Sequence, residues 1–474
     1  MNARTSKMGI WAAMAVSALL SAIFIAQASF SVNGLRAFTL FDDAMISTRY
    51  ARNFADGNGL VWNAGERIEG YTNFLWTLWM SLLHLLPLPD RLQPLLVSIT
   101  GAVLLMLAVW LASHLARELR PESQFAPVAA AFLTALCYPL AFWTLRGMEV
   151  GLIAVVTTAV TLLCLQMVRE PSMKKAFAIG ALLAVGLLTR PDAAVIAAVA
   201  IGFLVVGLHD SPNRKYLLPV VAVPALAFAA HLGFRFAYYG ELVPNTYTLK
   251  IEGFPLRNRL VRGAKSVWQL LFQGGFAVAV AMALLAIWNA KRCASLRRYL
   301  LPAAMVGIFV AYSIYVGGDA WESIYIANRY ITSMLPVFLV LVALGVDAVS
   351  QYSRVVAGAL SVATIATIGL ATIEIPPLDY FYPQAVELNG TLVAGAAIVL
   401  LGLLLGVFRK QLAPAYLIIG VLFTTFAGNW IFTLGNHASE VNGDNLWAQY
   451  GMALSEMTEP GARLAISSAG NIPY

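Results

Sequence analysis

The chain has few charged residues for its length. Only 12% of its 474 residues are Asp, Glu, Lys or Arg, whereas 60% are hydrophobic. A soluble domain has about 25% charged residues, so this composition excludes a water-soluble globular protein. It predicts an all-α polytopic membrane protein whose helices span a bilayer.

Cysteine and histidine are also scarce. The three cysteines are Cys137, Cys164 and Cys293, and the first two lie in apolar runs. They can form neither a disulfide framework nor a CxxC metal site. No His-rich ligand set is present, so the residues by themselves demand no metal.

Three function classes lack their usual signals. The net charge of +7 is ordinary for a membrane protein with basic cytoplasmic loops, and no basic face with interleaved aromatics indicates nucleic-acid binding. No internal repeat or pair of broken helices indicates a transporter. His231 is the main ionisable residue in mid-span, and a lone histidine there is more often a packing residue than a proton relay.

Apolar runs predict thirteen spans. The first follows the basic residues Arg4 and Lys7, and "AQA" at 26–28 resembles a leader cleavage site. We interpret this run as a retained first helix, with a cleaved leader as the alternative. The predicted spans are 9–30, 95–116, 125–144, 149–168, 174–189, 192–208, 216–237, 267–289, 299–316, 331–349, 355–375, 391–408 and 413–433.

Loop charge predicts the orientation. With the N-terminus inside, 16 of the 31 Lys and Arg residues fall in short cytoplasmic segments, which is the positive-inside pattern. The pattern holds only if the apolar run 72–88 does not span. We therefore predict that this run lies at the outer interface with Trp76 and Trp79 as anchors. Loop 31–94 and tail 434–474 are then periplasmic, and the helical domain is 1–433.

Two adjacent carboxylates open the first outer loop, in "FDDAMISTRYARNF". Like charge and partial desolvation would raise the pKa of at least one of them, which suits a general base. Asp42 and Asp43 also suit a helix N-terminus, where acids complement the helix dipole. The two interpretations are compatible.

Other outer motifs have both a structural and a functional interpretation. In "GGDAWESIYIANRY", Asp319 and Arg329 could form an ion pair, or Arg329 could hold a phosphate. The basic segment 238–266 suits either anionic headgroups or a lipid-linked phosphate. Arg146 and Arg190 lie at outer span ends, where they could simply extend their apolar stems along the bundle and keep their charged heads in water.

The stretch "DDAMISTRYARNFADGNGLVWNAGERIEGYTNFLW" resembles the signature of integral-membrane arabinofuranosyltransferases. These resemble the enzymes that add terminal β-(1→2)-linked arabinofuranose to cell-wall arabinan, and related pilin-arabinosylating enzymes. "RGMEVGL", "LTRPDA", "VPNTYTLK" and "GGDAWESIYIANRY" match further signatures in the same order, over residues 38–335. The family belongs to the GT-C superfamily of transferases that use polyprenyl-phosphate sugars.

The resemblance implies a GT-C bundle in the bacterial inner membrane, with interfacial helices in its first outer loop. It implies a decaprenyl-phospho-arabinose-like donor, a glycan or protein acceptor, Asp42 as the base and Asp43 as an orienting or sugar-binding group. Phosphate recognition would fall first to Arg329 and Arg190, and a divalent cation is left open. The candidate donor- and substrate-binding residues are Arg49, Glu69, Tyr71, Asn73, Trp76, Arg146, Glu149, Arg190, Asp192, Asn245, Lys250, Asp319 and Arg329.

Two departures from the family pattern leave alternatives open. "DDAM" replaces the usual aromatic after the acids, and only about forty residues follow the last span, where many relatives have a large soluble domain. The tail "ARLAISSAGNIPY" resembles the start of that domain. The donor sugar could instead be mannose or aminoarabinose. A lipid or solute transporter and a non-catalytic assembly subunit are the alternatives from other classes.

Overall fold

The structure is a computed structural model. It describes residues 3–209, 212–244, 255–292, 295–319, 327–349, 361, 364–365, 369–370, 390–408, 413–427, 430, 439–459 and 469–473. The predicted span 355–375 and the candidates Asn245 and Lys250 lie largely or wholly outside these residues.

The described part of the chain is predominantly helical. Its first half contains α1 (Ala3–Gln27), α2 (Asp42–Ala55), α3 (Phe74–His84), α4 (Gln93–Leu119), α5 (Ala126–Ala135), α6 (Tyr138–Leu145), α7 (Val150–Arg169), α8 (Met173–Thr189) and α9 (Ala194–Gly207). Its second half contains α10 (Leu217–Tyr239), α11 (Leu256–Phe272), α12 (Phe276–Arg292), α13 (Leu296–Val316), α14 (Arg329–Thr332), α15 (Leu335–Val349), α16 (Gly390–Phe408), α17 (Ala413–Leu422) and α18 (Ser439–Met457).

Five of these helices are long and apolar enough to cross a membrane, and two bent helix pairs raise the number to seven. The predicted all-α architecture is confirmed, but the total of thirteen spans stays a prediction. Helices α5 and α6 break the predicted span 125–144 with a bend of 48°. The break falls just before Pro139, whose ring cannot continue a helix from the preceding turn.

The predicted span 267–289 does not form one straight helix. Its first residues belong to α11, and the chain turns by 87° before α12 begins at Phe276. Gly275 takes a φ of 71° at this corner, a conformation that costs glycine little. Helix α11 carries Arg257, Arg259, Arg262 and Lys265, which are unsuited to a hydrocarbon environment.

The apolar run 72–88 forms only the helix α3, of 11 residues. A helix of that length extends about 16 Å, too short for a hydrocarbon core of about 30 Å. The prediction that this run does not span is therefore consistent with its length. Trp76 was expected to be an interfacial anchor, and this is wrong, because it is 2% exposed and donates its indole N–H to Gly147 O at 2.8 Å.

A short hairpin joins α1 to α2, and the sequence interpretation did not foresee it. Strands β1 (Phe30–Val32) and β2 (Leu35–Ala37) pair antiparallel around Asn33 and Gly34. Both turn residues have positive φ, 50° and 76°, as expected of an Asn-Gly hairpin turn. The hairpin reverses the chain between α1 and α2, and its pairing places Phe30 opposite Ala37.

Ion pairs separate according to the predicted sides of the membrane. Charged residues at the ends predicted to be outer form ion pairs such as Arg329–Asp43 and Arg190–Glu149. At the ends predicted to be inner, Arg120 forms an ion pair with Asp347 at 3.1 Å. The apolar core lies between these two polar ends, and α15 is buried along most of its length. The identity of the outer side stays a prediction.

Cysteine labelling tests this orientation. In a chain whose Cys137, Cys164 and Cys293 are replaced by Ser, single cysteines at Glu66 and Glu456 should react with a membrane-impermeant thiol reagent on intact cells. Cysteines at Glu122 and Lys174 should react only after the membrane is opened. All four positions are exposed in the structure, so burial does not explain a failure to react. Labelling of Glu66 and Lys174 positions from the same side would contradict the orientation.

Candidate functional site

The paired carboxylates Asp42 and Asp43 begin helix α2. Their negative charge lies where the helix dipole favours it. The approach to this helix is held by Arg146, which is 1% exposed and donates to Thr39 O at 3.1 Å and Leu40 O at 2.9 Å. Phe41 N–H donates in turn to Arg146 O at 2.9 Å. The two carboxylates are thus presented by a rigidly held segment.

Asp43 is paired with a buried arginine. Arg329 Nη1 lies 2.7 Å from Asp43 Oδ2, and its Nε and Nη2 contact both oxygens of Asp319 at 2.7 and 3.0 Å. Burial opposes the charge on Arg329, but Asp319 and Asp43 outweigh it and raise the pKa of this guanidinium. The predicted Asp319–Arg329 pair is therefore present, and it reaches as far as the carboxylates of α2.

A second arginine is held in the same manner. Arg190 contacts both oxygens of Asp192 at 2.8 and 2.7 Å and Glu149 Oε1 at 2.6 Å. Asn73 donates to the other oxygen of Glu149 at 3.0 Å and accepts from Ser47 Oγ, on α2, at 2.8 Å. This chain of polar contacts ties α2 to the start of α7 and the end of α8.

Other candidates form the wall beyond this network. Glu69 and Arg235 make a buried ion pair at 2.8 Å. Burial raises the pKa of Glu69, and Arg235 opposes the shift. Tyr71 is 2% exposed and shares a hydrogen bond of 3.1 Å with the Tyr239 hydroxyl. Glu69 and Tyr71 therefore pack loop 60–73 against α10, and burial limits their access to a substrate.

Two arginines contact neutral groups. Arg49 donates to Trp62 O at 3.0 Å, to Asn63 Oδ1 at 3.3 Å and to Pro473 O. Arg259 lies over the Tyr315 ring at 5.0 Å, and its buried Nε and Nη1 have no hydrogen-bond partner among the described residues. A buried guanidinium nitrogen without a partner is energetically costly, which makes Arg259 a candidate for an anionic ligand.

Arg262, one turn further along α11, fixes the neighbouring loop. It donates to Gly317 O at 2.6 Å and to Asp319 O at 2.8 Å. Because Asp319 also binds Arg329, this contact links the basic helix to the carboxylates of α2. The sequence interpretation selected this basic segment as a whole but did not distinguish Arg259 from its neighbours.

The segment 469–473 also reaches the site, which the sequence interpretation missed. Asp42 Oδ1 accepts from Gly470 N–H at 3.0 Å, Asn471 N–H at 2.8 Å and Asn471 Nδ2 at 3.4 Å. Asp444, on α18, pairs with Arg146 and accepts from Asn471 Nδ2 at 3.0 Å. Burial raises the pKa of Asp444 to about 6, with Arg146 opposing the shift. No local pattern in the tail marks these residues as partners of α2.

Within the part of the chain that the structure describes, no group of three His, Cys, Asp or Glu side chains could hold a metal ion. The carboxylates of the site form ion pairs with arginines instead, as Asp43 and Asp319 do with Arg329. This donor set does not fit a resident divalent cation, so we derive no step through one.

No known protein-family profile matches the chain. It is similar to two curated proteins, both named terminal β-(1→2)-arabinofuranosyltransferase. It is 30% identical over 220 residues to the one from Mycobacterium tuberculosis, covering 44% of this chain and 34% of that protein. It is 25% identical over 358 residues to the one from Corynebacterium glutamicum, covering 66% of this chain and 48% of that protein. The chain thus spans between a third and a half of the length of these relatives.

Solved structures show the fold. ArnT from Cupriavidus metallidurans in the apo state aligns with a TM-score of 0.56 at 15% identity, covering 100% of this chain and 84% of that one. The structure of ArnT bound to undecaprenyl phosphate aligns with a TM-score of 0.53 at 14% identity, with the same coverage. The apo structure of the Archaeoglobus fulgidus oligosaccharyltransferase aligns with a TM-score of 0.51 at 13% identity, covering 98% of this chain and 60% of that one. The predicted fold, that of a GT-C transmembrane bundle, is confirmed.

Removal of Arg329 should destabilise the fold strongly. Arg329→Gln leaves Asp319, 6% exposed, without its bidentate partner, and the loss of one member of a buried pair costs about 3–5 kcal/mol. The same substitution at Arg52, which pairs at 3.4 Å with an Asp90 side chain that is 64% exposed, should cost about 0–1 kcal/mol. Unfolding of the detergent-solubilised variants measures both. Equal losses would show that burial of the Arg329 pair contributes nothing.

Proposed function

We propose that this chain is a glycosyltransferase that moves arabinofuranose from a polyprenyl phosphate to an acceptor hydroxyl on the outer side of the membrane. One observation carries the proposal: Asp42 and Asp43 are presented together at the start of α2, held by Arg146 and Arg329. The confirmed fold and the names of the curated relatives support the class of reaction. The ArnT structure with undecaprenyl phosphate supports a lipid-linked donor.

In the proposed reaction, Asp42 is the general base. It takes the proton of the acceptor hydroxyl as that oxygen forms its bond to the anomeric carbon. The bond between the anomeric carbon and the phosphate oxygen breaks, and its electron pair leaves with the polyprenyl phosphate. A single displacement of this kind inverts the anomeric centre.

Asp43 acts beside the base. Its carboxylate is held by Arg329 at 2.7 Å, and its side chain is 34% exposed. Its carboxylate can therefore accept a hydrogen bond from a hydroxyl of the donor sugar, while Arg329 fixes its orientation. Held in this way, Asp43 is a sugar-binding group and Arg329 is its positioning residue.

The donor phosphate binds at Arg259 in this proposal. Arg329 and Arg190 are each already in contact with two carboxylates, so a phosphate would have to displace one of them. Arg259 has two buried nitrogens without partners in the described structure, and Arg262 links its helix to Asp319. A guanidinium is well suited to phosphate oxygens because it offers several N–H donors in one plane.

A donor panel tests the reaction. The purified protein is reconstituted with lipid-phospho-arabinofuranose, -mannose or -aminoarabinose and an arabinan oligosaccharide, and the products are analysed by mass spectrometry. Transfer of arabinofuranose with inversion is the expected result. Transfer of another sugar alone would reassign the donor, and transfer of none would overturn the proposed activity.

Asp42→Asn should lower kcat by about 100-fold or more, because general-base catalysis contributes about 10²–10⁴-fold. An amide oxygen can still accept the hydrogen bonds that backbone N–H groups donate to Oδ1, so the site should keep its shape and its affinity for the donor. Asp90→Asn, at an exposed outer carboxylate, is the control and should keep full activity. Near-normal kcat in Asp42→Asn would move the role of base to another group.

Arg259→Gln should raise the KM for the donor by about tenfold or more, in line with a charge-assisted hydrogen bond worth about 1.5–3 kcal/mol. Arg257→Gln changes an exposed arginine on the same turn of α11 and should have little effect. Binding of a non-transferable lipid-phospho-sugar to both variants provides the comparison. Equal affinity of the two variants would remove Arg259 from the phosphate site.

A further inference from the structure

The segment 469–473 lies directly against the candidate base. Two consecutive backbone N–H groups, those of Gly470 and Asn471, point at one oxygen of Asp42, at 3.0 and 2.8 Å. The Asn471 side chain adds a third donor at 3.4 Å. Hydrogen bonds to an ionised carboxylate are about twice as strong as neutral ones, so this arrangement orients the group.

Two glycines permit this close approach. A Cβ on Gly470 would overlap the backbone carbonyl oxygen of Asp42, and a Cβ on Gly451 of α18 would overlap that of Ile472. The segment is therefore held between α2 on one side and α18 on the other, with no room for a methyl group at either contact.

The side chain of Asn471 fixes the segment further. Its oxygen accepts from the Thr39 hydroxyl, and its nitrogen donates to Asp444 Oδ1 at 3.0 Å. Asp444 is itself paired with the buried Arg146, which holds the backbone in front of Asp42. The same guanidinium thus supports both the base and the segment that contacts it.

We propose that segment 469–473 is a positioning element of the active site, in which the backbone N–H groups of Gly470 and Asn471 fix the carboxylate of Asp42. This inference rests on the proposed function, because it assigns a role to groups that act through the base. A displacement of a catalytic group by about 1 Å can cost about 100-fold in rate. The segment should therefore affect kcat far more than donor binding.

The kinetic test uses Gly470→Ala and Gly451→Ala, which push the segment away from α2 and α18. Each should lower kcat about tenfold or more, while the KM for the donor and the binding of a non-transferable donor stay unchanged. Gly307→Ala on α13 is the control, because nothing lies within 4 Å of the added Cβ, and it should keep wild-type kinetics. Unchanged kcat in both test variants would overturn the proposal, and so would a rise, which would indicate a segment that blocks the site.

A third variant tests the same role without the added bulk that could cause the glycine variants to misfold. Asn471→Asp adds no bulk but puts a carboxylate beside Asp42 and Asp444, and like charges should drive the segment away. It should show the same loss of kcat with donor binding intact. Wild-type kinetics in this variant would count against the positioning role.

Hydrogen exchange tests the contact independently of activity. The amides of residues 470 and 471 should be protected in the wild-type protein and should exchange at least tenfold faster in Asp42→Ala. Equal exchange in both proteins would overturn the inference even if no donor were transferred. An inactive wild-type protein with this protection would instead count against the proposed function alone.

Discussion

The geometry of the outer end of the bundle depends on one buried charge, the guanidinium of Arg146. It is 1% exposed and contacts the carbonyls of Thr39 and Leu40 and the carboxylate of Asp444. A buried charge must be satisfied by hydrogen bonds or an ion pair, or the fold loses several kcal/mol. The need to satisfy Arg146 therefore fixes the backbone in front of α2 and the position of α18 together, and the carboxylate of Asp42 lies between these two elements.

The remaining charges of the site are arranged as arginines held between carboxylates. Arg329 joins Asp43 to Asp319, and Arg190 joins Glu149 to Asp192. Both guanidinium groups are therefore held in fixed orientations by carboxylates on two sides. This pairing is the reason for proposing a positioning role for these two arginines. The phosphate is proposed to bind at Arg259 instead, because two of its buried nitrogens have no hydrogen-bond partner among the described residues.

The membrane helices were predictable because their signal is local. Runs such as 95–116 and 149–168 correspond to α4 (Gln93–Leu119) and α7 (Val150–Arg169) within a few residues. The hairpin was missed although Asn33-Gly34 is a typical turn signal, because its strands are only three residues each. The corner between α11 and α12 was missed although Gln273, Gly274 and Gly275 interrupt the apolar residues there, because the apolar residues on both sides were taken as one continuous run.

The sequence by itself determined that the chain crosses a membrane, that two carboxylates follow its first helix, and that Asp319 and Arg329 could pair. These properties follow from composition and short-range spacing, since burial in lipid depends on the residues of one segment. Only the tertiary structure decided which charges meet. Asp43 and Arg329 are 286 residues apart, and Asp42 and Asn471 are 429 apart. Contacts between such distant residues depend on how the whole bundle packs, so no local pattern could have revealed them.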